Sequence, residues 1–64
     1  MDLGKKYQRR LKLSLIQKHF GNVEVKYVPE RDVYEAYKQG RLIYACYAGN
    51  NLGKIVQDIT AKYY

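Results

Sequence analysis

Two clusters hold the residues whose types and spacing could do chemistry. The first is Gly49-Asn50-Asn51-Leu52-Gly53-Lys54-Ile55, which follows an apolar run and opens an amphipathic one. A glycine-rich loop at a helix start offers free backbone amides to phosphate. Here only three residues separate the glycines, where the nucleotide-hydrolysing motif needs four. Ile55 also stands where a Ser or Thr would hold magnesium. What remains is an asparagine-capped turn whose amides, with Lys54, can hold a single anion as a secondary site.

The second cluster is Lys5, Lys6, Arg9, Arg10 and Lys12, with no glutamate four residues away to compensate it. Uncompensated like charges on one stretch repel one another, and an anionic partner would relieve that. Lys5, Lys6, Arg9, Arg10 and Lys12 are therefore expected to contact the phosphates of DNA or RNA, with counterion release supplying affinity and a steep salt dependence. No helix-turn-helix, zinc-finger, RNA-binding aromatic or GxxG signature accompanies them, so sequence specificity has no visible carrier.

The remaining reactive types lack partners. His19 sits between Lys18 and Phe20, with neither an orienting group nor a pocket. Cys46 lies between Ala45 and Tyr47 and reads as a core thiol. Glu30, Asp32 and Glu35 fall in the first half of an expected short helix, where the helix dipole accounts for them. No nucleophile–base pair, metal set or calcium loop is present, so no enzyme activity and no cofactor are expected. Tyrosine is the unusual type: eight in 64 residues, with no Trp and one Phe. Its apolar body and polar tip suit contact surfaces. Tyr34, Tyr44, Tyr47 and Tyr63 are the candidates for an interface.

The elements that must position these residues fit one domain, residues 1–64; a chain this short buries a small core. The net charge is +6, and residues 1–20 hold half of the twelve basic residues with Asp2 as their only acid. With one cysteine, no disulfide can form within the chain. With no signal-peptide pattern either, a cytoplasmic setting is expected. The longest uncharged run, residues 42–53, is too short to span a bilayer, so no membrane partner is expected.

Asp2 can cap a helix running to about Phe20, with Leu3, Tyr7, Leu11 and Leu15 as its apolar face and the cations opposite. Leu13, Ile16 and Phe20 form a second apolar series, which predicts burial on two sides in the C-terminal half. Leu11, Leu13 and Leu15 also alternate as a strand would, in a hairpin with residues 23–28; the good helix formers around them favour the helix. Val23 to Val28 predicts a strand with Val23, Val25 and Tyr27 on one side. Pro29 then serves as a first helical residue, for a helix to about Gln39 ended by Gly40. Arg41 to Ala48 reads as a second strand covered on both faces. Asn50 or Asn51 caps a last helix with Leu52, Ile55, Val56, Ile59 and Tyr63 on one side.

The expected fold class is thus α/β or α+β, in the order α-β-α-β-α. Its two-stranded sheet, parallel or antiparallel, would be completed by the helices or by dimerisation. The expected function is a small basic regulatory or accessory protein that binds nucleic acid, as a homodimer. The alternative is a protein-interaction module, an inhibitor or adaptor docking an acidic surface of a larger protein. Salt dependence and nuclease sensitivity of binding separate the two.

Overall fold

The computed structural model describes residues 3–63, without the side chains of Leu3, Lys5 and Lys6. Its elements are α1 (Leu3–Lys18), β1 (Glu24–Val28), β2 (Val33–Lys38), β3 (Arg41–Tyr47) and α2 (Leu52–Tyr63). The three strands form one antiparallel sheet in the order β1-β2-β3. α1 packs against β1, α2 packs against β3, and the helices touch each other. Ile16 of α1 and Ile55 and Ile59 of α2 join Val25, Tyr34 and Ala36 of the sheet in one buried cluster, so both helices lie on the same sheet face.

Residues 29–40 overturn one expectation. They contain no helix. Pro29 begins a four-residue reversal in which Arg31 N–H bonds the Val28 carbonyl and Asp32 N–H that of Pro29 (both 3.3 Å). Asp32 takes a left-handed backbone (φ 52°), which aspartate tolerates better than most residues. Val33-Tyr34-Glu35-Ala36-Tyr37-Lys38 then runs as the central strand, with Tyr34 and Ala36 turned to the core. Gln39 (φ 54°) and Gly40 (φ 78°) make a two-residue turn that pairs Lys38 with Arg41. Two consecutive left-handed residues are what a tight hairpin with the natural strand twist requires. The sheet therefore has three strands, and an antiparallel meander replaces the two-stranded sheet and the helix expected between its strands.

α1 is helical throughout residues 11–16, which removes the alternative hairpin with 23–28. Its last turn tightens, with His19 N–H to Ile16 and Phe20 N–H to Gln17 carbonyls, and ends before Phe20. The Asp2 cap lies outside the described residues. α2 forms as expected: Asn51 Oδ1 accepts from Lys54 N–H (2.8 Å), and Ile55 and Ile59 are fully buried.

Both edges of the sheet are modified. On β1, the Gln17 side chain takes the place of a strand: its amide donates to the carbonyls of Phe20 (2.9 Å) and Val23 (2.6 Å) and accepts from Val25 N–H (2.9 Å). On β3, Ala36 pairs with Tyr44 but Tyr37 with Leu42, so Ile43 is an extra residue forming a bulge. β3 is covered on one face only. Leu42 and Tyr47 point away from the helices, and Tyr47 is 72% exposed.

Candidate functional site

α1 turns two of its charged residues, Arg9 and Lys12, inward and its apolar row to water. Arg9 lies on the inner side, its guanidinium gripping the Asp32 carboxylate through Nε–Oδ1 (3.0 Å) and Nη2–Oδ2 (3.2 Å). Tyr27 O–H donates to the same Oδ1 (2.6 Å), and Tyr34 O–H to the Arg9 main-chain carbonyl (2.6 Å). The bond to Asp32 raises the Arg9 pKa, and likewise that of Tyr27. Burial pushes Tyr34 up to about 12. Lys12 also turns inward. Its ammonium donates to the carbonyls of Ala48 (2.7 Å) and Asn50 (2.6 Å), tying α1 to the turn before α2, and burial lowers its pKa.

The five cations of the N-terminal cluster thus do not form one outward stripe. Arg9 and Lys12 are internal fasteners, Arg10 is exposed, and the side chains of Lys5 and Lys6 lie outside the described ones. Lys54, expected as a secondary anion contact, pairs with Asp58 one turn on (2.9 Å). That bond, with one from Tyr44 O–H to the same oxygen (2.9 Å), holds the Asp58 carboxyl below its usual range.

What the sequence reading placed inward faces out. Tyr7 is 68% exposed, Leu11 49% and Leu15 38%, in a row four residues apart. Arg10 and Lys18 are exposed on the adjacent four-residue row with Ser14, both on the side of the row that faces the β1 edge, and neither is in an ion pair among the described residues. α1 contains no Asp or Glu. Beside the row, between α1 and the β1 edge, lies an open hollow of about 380 Å³ lined by Leu13, Ser14, Gln17, Lys18 and Val25. The available signal was the second apolar series: Leu13, Ile16 and Phe20 continue into Val23 and Val25. A helix packed on one sheet face can turn only one series inward.

The tyrosines expected at an interface divide similarly. Tyr34 is 1% exposed and belongs to the core. It lies on the sheet face opposite Tyr37, not one helical turn from it. Tyr44 is half-buried, its phenol pushed up by burial and then by its hydrogen bonds. Tyr63 stacks near Phe20 (ring centroids 6.5 Å apart), and its hydroxyl accepts from Asn22 (3.0 Å). Only Tyr47 of the four stands out from the surface. It shares the outer sheet face with Leu42 and with Tyr37, whose ring carries the Lys26 ammonium 5.3 Å from its centroid.

A second concentration of cations was not foreseen. Lys38, Arg41 and Lys62 line a hollow of about 390 Å³ beside Tyr63. Lys38 donates to the Tyr63 carbonyl (3.2 Å) and lies 4.2 Å from its ring centroid. Positive charge at a helix C-terminus opposes the negative end of the dipole, which accounts for this group within the fold. Among the described residues there is no cluster able to hold a metal ion and no helix long and apolar enough to cross a membrane. Compared with known proteins, the chain matches no family model, no curated protein sequence and no solved structure.

Proposed function

We propose that the protein is a non-enzymatic interaction module that docks an acidic protein surface with the outer face of α1. One observation carries this reading: a helix with no acidic residue turns Tyr7, Leu11 and Leu15 to solvent beside the exposed Arg10 and Lys18. Apolar side chains supply affinity through burial, and flanking cations steer association and select an anionic partner. Phosphate backbones offer the anion but little to bury the leucines against. Of the described cations first expected to contact nucleic acid, Arg9, Lys12 and Lys54 already have internal partners, and Arg10 alone stays free for such a role.

The test is affinity capture from a nuclease-treated extract. The expected result is a protein retained by the native chain and lost with Leu11→Asp, whose substitution lies outside the core. Capture that vanishes on nuclease treatment returns the function to nucleic acid. Equal retention by the Leu11→Asp variant removes α1 as the docking face.

A further inference from the structure

We propose that the segment seated on α1 is an acidic amphipathic helix, lodged along the groove between the Tyr7–Leu11–Leu15 row and the β1 edge. This rests on the protein-docking reading above and names the kind of partner segment that fits. Three features select it.

The first is shape. The exposed row runs along α1 at one-turn spacing, and the hollow beside it shares its rim through Ser14 and Lys18. Row and hollow together make a ridge next to a shallow, open depression. A second helix lying along α1 places one apolar residue over the depression and its i+3 or i+4 neighbours against the row.

The second is the state of the backbone at that edge. An extended segment would bind beside β1 by continuing the sheet. But the Gln17 amide already occupies the Val23 carbonyl and the Val25 N–H, the first groups a new strand would pair with at this end of β1. An extended chain running past them would leave an N–H and a C=O of its own unpaired against Leu13 and Val25, a costly arrangement. A helix satisfies its own backbone and asks nothing of the edge.

The third is charge. Arg10 and Lys18 lie eight residues apart, about 12 Å along the helix axis. They run along the side of the row that faces the hollow, with no carboxylate of α1 to answer them. Carboxylates on a partner helix about two turns apart would meet both. A second copy of this chain would instead set like charges against each other, which argues against self-association through this face.

The experiment is an amide NMR titration of the full chain with defined probes. One is a synthetic helical peptide with leucines at helical spacing flanked by glutamates; a second has lysines in place of the glutamates. A third is an acidic peptide of high β-propensity, and the fourth is vesicles of phosphatidylserine and phosphatidylcholine. Binding of the acidic helical peptide is expected to move the amides of Leu11, Leu13, Leu15 and Val25. It should be at least about tenfold tighter than that of the lysine peptide. The Arg10→Glu, Lys18→Glu double variant should reverse that preference while keeping its native spectrum. No shift with the acidic helix overturns the proposal, and so does equal binding of both helical peptides. Tighter binding of the β-prone peptide, vesicle binding with the peptide inert, or shifts at Leu11 on concentrating the protein alone would also overturn it. Should the capture experiment retain a protein through Leu11 while the acidic helix fails here, the docking reading stands and this inference alone falls.

Discussion

The two sides of α1 invert the usual rule of burial. The inner side holds Arg9, Lys12 and Gln17 beside Ile16, and each polar group finds a partner across the fold. The outer side holds Tyr7, Leu11 and Leu15, which stay exposed among the described residues. Long polar side chains bury their stems and hydrogen-bond their heads, so a small core can be closed by fasteners rather than by bulk. The apolar residues not used in that core are then free for another molecule. The lesson is that polarity along a helix does not by itself tell which side is inside. The partners available across the fold decide it.

The contrast can be broken most severely at Ile16. Ile16→Ala on the buried side should destabilise the domain by about 3 kcal/mol, read by urea unfolding. High pH strains the same side. Tyr34 keeps its proton to about 12, whereas the unfolded chain releases it near 10. Above pH 10 the unfolded state therefore binds fewer protons, and stability falls as pH rises, by on the order of 2 kcal/mol from this group. The Tyr44 phenol, raised in the same direction, adds to the loss. Alkaline unfolding monitored by far-UV dichroism checks this, and a flat profile across the roughly two units from about pH 10 to about pH 12 would contradict it.

Asp32→Ala should cost about 1–2 kcal/mol, limited by the partial exposure of its carboxylate, because Arg9 and Tyr27 lose their shared acceptor. Arg9→Met in that background should recover part of the loss, measured by a double-mutant cycle. Lys12→Met should cost about 1 kcal/mol by stripping the donor from two carbonyls. The smallest effect sharpens the comparison. Leu11→Gln should shift the melting free energy by no more than about 0.5 kcal/mol while abolishing capture of the partner. A large destabilisation there would mean that the outer row belongs to the fold after all.

The extents of α1, β1, β3 and α2 were legible because periodicity and capping residues agreed there. Asn51 and the Ile55–Ile59 spacing are the clearest case. Residues 29–40 were not, for a physical reason. Pro29 with Glu30 and Asp32 is good chemistry for a helix start, and a left-handed Gly40 ends a helix as well as it turns a hairpin. The signal that should have weighed more was Val33, Tyr34 and Tyr37, β-branched and aromatic types that a pleated surface favours. The candidate site was legible only as a charged helix. Which charges are free depends on Arg9 meeting a residue 23 positions away and Lys12 one 36 positions away, and no local pattern encodes those meetings.

The short sheet reversals bear on how the chain is made. With four residues between β1 and β2 and two between β2 and β3, the meander can assemble from neighbours soon after it leaves the ribosome. α1 is translated before Asp32 and Ala48, which hold it and emerge much later. During synthesis this leucine-rich helix must wait undocked with both its sides in the open. That interval is when a nascent chain of this kind would depend most on a chaperone.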